Sequence, residues 1–188
     1  MEQKKITLSN VKTQDMVQVA LMAALTYIST AAINVPMGSI LKGVVHLGDT
    51  MIFLAAVLLG RKKAFLSAAI GMCMFDLFSP YIIWAPFTFF IKGIMAYIAG
   101  TIAYRKDYDG NNLWNNIIGF ALGGIWMIAA YYVAGVLIMH FVMNVALGQA
   151  LMLSIGEIPG NITQVVAGII LAIPLGRILK KANVIRKY

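Results

Sequence analysis

The sequence predicts an all-α membrane protein with six transmembrane helices and both termini in the cytoplasm. Hydrophobic residues make up 61% of the 188-residue chain, and its mean hydropathy is +0.83. Basic residues form small clusters at alternate ends of the apolar stretches, as the positive-inside rule requires. The clusters are Lys4, Lys5 and Lys12 before the first stretch; 61–63 after the second; Arg105 and Lys106 after the fourth; and Arg177, Lys180, Lys181, Arg186 and Lys187 after the sixth.

Length and composition fit one membrane domain, residues 1–188, in which residues 1–15 form a polar cytoplasmic segment. A spanning helix needs about 20 apolar residues, so six helices leave little chain for a soluble catalytic or nucleotide-binding domain. The net charge of +8 comes from short clusters beside apolar spans, which predicts membrane orientation and not nucleic-acid binding. The single cysteine, Cys73, excludes a disulfide framework and a multi-cysteine metal site.

Apolar stretches and turn signals predict the elements in order. Residues 34–45 contain a Pro/Gly turn signal and form the longest outside connection before a short second helix. The fifth helix is long enough to be tilted or kinked. Residues 140–156 are apolar with scattered polar side chains, and we interpret them as an outside connection partly sunk in the membrane boundary. The predicted helices are 16–33, 46–60, 64–78, 84–104, 114–139 and 157–179.

Helix one carries small residues at helical spacing, namely Ala20, Ala23 and Ala24, with Ala31 further along. Small side chains let another helix backbone approach closely, which drives helix association in lipid. This face packs either against a neighbouring helix of the same chain or against a partner subunit. Ala20 and Ala24 lie near the cytoplasmic end, where a partner on the inside could reach them.

Polar side chains stand at the outer ends of helices one and two. His46 and Asp49 are three residues apart and share a face of a helix. Asp49 either stabilises the helix N-terminus or contacts a ligand beneath the 34–45 loop. Asn34, at the start of that loop, is a further candidate for ligand contact.

Lys92 lies inside helix four among apolar residues. It is eight residues beyond Trp84, about 12 Å deep at the helical rise per residue. An ammonium at that depth is costly unless it is paired or faces a wet cavity. Asp49 and Asp76 are the candidate counter-ions. Lys92 is therefore either a buried structural ion-pair partner or a wall of the substrate cavity, and the two roles can coexist.

Helix six begins with Glu157, Asn161 and Gln164 on one face, which is either a solvated helix start or a cavity wall. Trp84 and Tyr81 are either interfacial aromatics or a stacking surface for a flat ligand ring. These residues enter the membrane from the outside, where they could converge on one pocket.

Signals for an enzyme or a metal site are weak. Asp49 and Asp76 lie on two helices, as in intramembrane aspartyl proteases, but His46 stands where that motif begins with glycine. The chain has no phosphate-binding glycine loop with Lys and Ser or Thr. No second histidine lies four residues from His140, which favours a satisfied or interfacial histidine. We expect no catalytic activity, no cofactor and no metal.

Two stretches, VHLGDTMIFLAA (45–56) and WAPFTFFIKG (84–93), together with the alanine face and the topology, resemble S components of energy-coupling factor (ECF) vitamin importers. The resemblance covers essentially the whole chain. It is closest to the subgroup assigned to hydroxymethylpyrimidine or pyridoxine-related substrates, which is related to the riboflavin-type S components.

The resemblance implies an S-component-like bundle in a bacterial plasma membrane that binds a vitamin near the outer surface, under the loop after helix one. It implies docking through Ala20 and Ala24 to a transmembrane coupling subunit that joins two cytoplasmic ATPases, and inward delivery by toppling in the bilayer. A riboflavin-type S component, a membrane enzyme or a stand-alone permease are the alternatives. Pocket residues differ among S components, so the candidate substrate contacts rest on the residues themselves: Asn34, His46, Asp49, Trp84, Lys92, Asn161 and Gln164.

Overall fold

The computed structural model describes residues 2–36 and 44–182, and most of these residues are helical. Short 3-10 turns at Ile82–Trp84 and Arg105–Asp107 and a π-helical turn at Ile138–Val142 connect the longer elements. In chain order these are α1 (Glu2–Ala32), β1 (Asn34–Pro36), β2 (Val44–His46), α2 (Gly48–Leu59), α3 (Arg61–Leu77), α4 (Ala85–Ala103), α5 (Leu113–Leu137), α6 (Leu147–Ile155) and α7 (Ile158–Lys181).

Each of the six predicted helices is present, as α1 to α5 and α7. Within the described residues, four segments are long and apolar enough to cross a membrane. α2 has 12 residues and α3 has 17, so both are shorter than a usual span. The count of six spans and the cytoplasmic position of both termini remain predictions. The four segments are Thr13–Ala32, Ile82–Ala103, Leu113–Val142 and Leu147–Lys181.

The short helix α2 forms the centre of the bundle. At 1.5 Å per residue it is about 18 Å long, whereas a bilayer core is about 30 Å thick. Every residue of α2 except Met51 is buried, and α1, α3, α4 and α7 all contact it. Gly60 joins α2 to α3 with a φ of 77°, a conformation that glycine adopts without steric cost. Protein therefore surrounds most of α2 and shields it from lipid.

Small residues bring α1 and α3 into close contact. A Cβ atom at Gly71 of α3 would lie 2.5 Å from the carbonyl oxygen of Ala23 and 2.9 Å from Cβ of Thr26. The buried hydroxyl of Thr26 donates to the Met22 carbonyl at 2.8 Å, so it is satisfied within its own helix. Such close backbone approach is the usual basis of helix packing in lipid.

Three connecting segments differ from the predictions. Residues 1–15 were predicted to be either frayed or an interfacial helix before helix one, but α1 continues without a break from Glu2. The ends of the 34–45 loop pair as antiparallel strands with Asn34 opposite His46, while residues 37–43 lie outside the described part of the chain. The expected connection at 140–156 is a π-helical turn followed by α6.

α6 forms because its two buried residues, Ala150 and Ser154, are four apart and lie on one helical face. That face packs against α5. Asn144 has a φ of 55° and turns the chain between the two helices, a conformation that asparagine tolerates better than most residues. Of the polar residues that indicated a connection, Asn144 is therefore a turn residue and Ser154 a helix-packing residue, whereas Gln149 is exposed on α6.

Several basic residues lie together at the end of the bundle opposite the hairpin. The Nζ atom of Lys63 is 2.8 Å from Asp15 Oδ1, which joins the start of α3 to α1. The Nζ atom of Lys180 donates to the Asp109 carbonyl at 2.6 Å and lies 5.6 Å from the ring centroid of Tyr104. The clusters of α3 and α7 and the loop after α4 thus share one end of the molecule.

The close contact between α1 and α3 gives a test of the fold. Gly71→Ala should lower the melting temperature of the purified protein, because overpacking of this kind costs about 1–3 kcal/mol. Gly148→Ala in α6 is the matched control, since no atom lies within 4 Å of the Cβ it adds. Equal melting temperatures for the two variants would contradict this packing.

Candidate substrate-binding site

A buried ion pair connects three helices beneath the site. The Nζ atom of Lys92 on α4 is 2.5 Å from Asp49 Oδ1 on α2, and both side chains are essentially inaccessible. Gln164 Nε2 on α7 donates to Asp49 Oδ2 at 2.9 Å. Of the two predicted counter-ions of Lys92, Asp49 is the one that pairs with it. The Asp49 carboxylate thus bonds to Lys92 and Gln164. At Leu47, the N-cap residue of α2, no side-chain hydrogen bond caps the helix.

Close packing holds this cluster in place. A Cβ atom at Gly168 of α7 would lie 3.2 Å from Cβ of Asp49 and 3.2 Å from Cε2 of Phe53. Phe53 in turn stacks on Phe120 of α5 with ring centroids 4.4 Å apart. The glycine lets α7 approach α2 closely enough for Gln164 to reach the carboxylate.

A cavity of about 60 Å³ lies beside this cluster, at the end of the bundle that carries the hairpin. It is enclosed by β2, α3, the 3-10 turn before α4, α4, α5 and the start of α7. Its lining is a mixture of aromatic and polar side chains, which is typical of a small-molecule site. The lining residues are His46, Met72, Asp76, Tyr81, Trp84, Thr88, Tyr131, Glu157, Asn161 and Gln164.

Four of the seven predicted substrate contacts line this cavity, namely His46, Trp84, Asn161 and Gln164. Asp49 and Lys92 do not line it and form the ion pair that supports Gln164. Asn34 pairs with His46 across the hairpin but is not among the lining residues. Its buried side-chain oxygen has no hydrogen-bond partner among the described residues.

His46 is neutral in this environment. Burial, followed by the positive charge of Lys92, lowers the pKa of His46 from 6.5 to about 4. Its Nδ1 atom accepts a hydrogen bond from the Gly48 backbone N–H at 3.1 Å. In a neutral imidazole the other nitrogen, Nε2, then carries the proton and is a hydrogen-bond donor.

Aromatic rings form one wall of the cavity. The rings of Trp84 and Tyr131 meet edge to face with centroids 5.6 Å apart. The Tyr131 hydroxyl is 3.1 Å from Thr88 Oγ1, and Lys92 Nζ is 5.3 Å from the Tyr131 ring centroid. Trp84 is thus placed where it can stack on a ligand, as one of its two interpretations requires.

The sequence analysis missed three of the lining residues and misjudged a fourth. In the sequence, Tyr131 and Met72 look the same as the residues of membrane helices that face lipid. Thr88 could have been found, because it lies one turn before Lys92 on α4. Asp76 was considered as a counter-ion and as a protease-like carboxylate but not as a ligand contact. It lines the cavity, is 5% exposed, and its Oδ2 atom has no hydrogen-bond partner within the described residues.

The predicted docking residues lie on a second, larger concavity. An apolar groove of about 920 Å³ runs between α1 and α3, and Ala20 and Ala24 are exposed in it. Ala23 also borders the groove but is only 6% exposed, because it packs against Gly71. The alanine face therefore contributes Ala23 to packing within the chain and leaves Ala20 and Ala24 accessible.

A bundle of apolar helices that encloses a cavity with polar and aromatic walls is the architecture of a substrate-binding membrane protein. The chain belongs to the ECF-type riboflavin transporter S component family, whose sequence model matches residues 10–181. It is therefore the substrate-binding component of an ECF-type transporter, and S components of such transporters work with an ECF module of coupling subunit and ATPases. This confirms the resemblance to S components but not the hydroxymethylpyrimidine or pyridoxine subgroup.

Two further comparisons find similar chains. The chain is 32% identical over 154 residues to a protein of Pyrococcus woesei that is described as an uncharacterised protein in a gap 3′ region. The aligned region covers 82% of this chain and 93% of that protein. A solved structure, described as the S component of a bacterial ECF transporter, superposes with a TM-score of 0.64 at 17% identity. That similarity covers 91% of this chain and 98% of the solved one and concerns the fold.

The buried ion pair makes a prediction about stability. Lys92→Met should lower the free energy of unfolding by roughly 3–5 kcal/mol, because it leaves the Asp49 carboxylate buried without its cation. The double variant Lys92→Met/Asp49→Asn should recover most of that loss, since both charges are gone and Asn can still bond to Gln164. Melting curves of the purified protein measure both effects. A single variant as stable as the wild type would refute the ion pair.

Proposed function

We propose that this S component captures a small aromatic heterocycle, hydroxymethylpyrimidine-like or pyridoxine-like, in the cavity beside the Lys92–Asp49 pair. The observation that carries the proposal is the convergence of an aromatic wall with side-chain donors and acceptors in one small space. Trp84 offers a flat apolar surface, and Asn161 and His46 offer hydrogen bonds at the edge of a ring.

The size of the cavity favours a small ligand. At about 60 Å³ it is smaller than the roughly 150 Å³ that holds a benzene ring, so even a single ring requires the cavity to widen on binding. Riboflavin, with three fused rings and a ribityl chain, would require the surrounding helices and the hairpin to separate further. It is nevertheless the second candidate, because the matching family is described by riboflavin transport.

The orientation in the membrane follows from the distribution of charge. In this proposal the end with Lys63 and Lys180 faces the cytoplasm of a multi-pass protein in the cell membrane, in agreement with the positive-inside rule. The cavity at the other end then meets the outside solution, where the vitamin is captured. The groove with Ala20 and Ala24 binds the coupling subunit, and toppling of the loaded S component carries the ligand inward.

The ligand assignment is tested by mass spectrometry of the small molecule released from protein purified without added vitamin. We expect a single-ring heterocycle, and we expect Trp84→Ala to weaken its binding at least tenfold, about 1.4 kcal/mol. Such a loss is within the range of one lost stacking contact. Release of riboflavin would favour the second candidate, and uptake by cells that lack an ECF module would contradict the proposal.

The docking proposal predicts that Ala20→Trp and Ala24→Trp abolish copurification with the coupling subunit, because a bulky ring prevents close helix approach. Ligand affinity should remain within about twofold of the wild type, since the cavity lies at the other end of the bundle. Ala129→Trp is the matched control, because Ala129 is an exposed alanine on α5 outside the groove. A full complex formed by the Ala20/Ala24 double variant would refute docking at this face.

A further inference from the structure

We infer that Asp76 selects the ligand by accepting a hydrogen bond from one of its N–H groups, so that the substrate is a heteroaromatic amine or carries a protonated ring nitrogen. The inference rests on the proposed function, in which this cavity holds the ligand, and it adds the chemical group that the cavity recognises.

The first observation is an unsatisfied carboxylate. Asp76 lies at the outer end of α3, is 5% exposed and borders the cavity. Its Oδ2 atom is buried and has no hydrogen-bond partner in the described part of the chain. Buried polar atoms are nearly always bonded, so an unpartnered carboxyl oxygen that borders a cavity is unusual. A bound ligand is the natural source of the missing donor.

The second observation is that the nearest buried cation is already used. Lys92 Nζ bonds to Asp49 Oδ1, and the other oxygen of Asp49 accepts from Gln164. Asp49 is thus neutralised and bonded on both oxygens, whereas Asp76 has no ion pair within 4.0 Å among the described residues. The two aspartates near the cavity therefore differ in kind, one being structural and the other available for recognition.

The third observation is the charge of the cavity lining. Its titratable side chains are Asp76, Glu157, His46 and the two tyrosines, and no Lys or Arg is among the lining residues described. His46 is neutral, as argued above. A cation or an N–H donor would be attracted to the described lining, where one oxygen of Asp76 lacks a partner.

The test compares two probes by titration calorimetry on the full-length protein. They are 4-amino-5-hydroxymethyl-2-methylpyrimidine and the same pyrimidine with hydrogen in place of the amino group. Wild-type protein should bind the amino probe at least tenfold more tightly than the deamino probe. Equal binding of the two probes would overturn the inference without any variant.

Asp76→Leu removes both acceptor oxygens at similar volume and should then reduce the preference for the amino probe from at least tenfold to within about twofold. Asp109→Leu makes the same change at the opposite end of the bundle and should leave the preference unchanged. If Asp76→Leu does not fold, Asp76→Glu keeps the charge but moves the oxygens and should still weaken the preference by at least threefold. A folded Asp76 variant with the wild-type preference would show that Asp76 is not the selecting group.

Trp84→Ala separates this inference from the proposed function. If the cavity is the site, this variant should weaken the amino and deamino probes by similar factors while keeping the preference between them. If it weakens neither, the cavity is not the binding site, and both the proposed function and the inference fail. If it weakens both and Asp76→Leu leaves the preference intact, the cavity remains the site and only the role of Asp76 is overturned.

Discussion

The pairing of Lys92 with Asp49 is the interaction on which the rest of the site depends. It joins α2 to α4, and through Gln164 it also holds α7, so three of the helices around the cavity share one charge cluster. An ammonium at this depth in a membrane protein must be neutralised internally. By taking Lys92 out of the cavity, the pair also determines the electrostatic character of the binding site, since the described lining then contains carboxylates and neutral groups only.

The same pair suits a subunit that is proposed to tilt in the bilayer. α2 is too short to span and is buried by its neighbours, and its charge is cancelled inside the protein. A body whose intramembrane charges are paired internally can change its tilt without exposing an uncompensated charge to lipid. Close helix contacts at Gly71 and Gly168 favour movement of the bundle as one unit, because packed interiors resist internal deformation.

The sequence predicted the helices well because Pro, Gly and basic clusters mark their ends, and because apolar stretches of this length have few other structures available. It could not choose between Asp49 and Asp76 as the partner of Lys92, since that choice depends on how α2 and α3 are rotated about their axes. Tyr131 was missed for a related reason. In lipid, the outer surface is as apolar as the interior, so periodicity does not show which face of a helix points inward.

Family membership assigns a transport role to the chain, but ligand specificity depends on a few side chains and on the residues that surround each of them. Asp49 and Asp76 have the same side chain, lie at the same end of the bundle, and are both buried. A cation and an amide surround the first, whereas one oxygen of the second is left without a partner in the described structure. Neither composition nor spacing contains this difference. The difference between the two aspartates arises because three helices meet around the Asp49 charge. Substrate recognition in this protein is therefore better argued from the hydrogen bonds of the folded site than from sequence motifs.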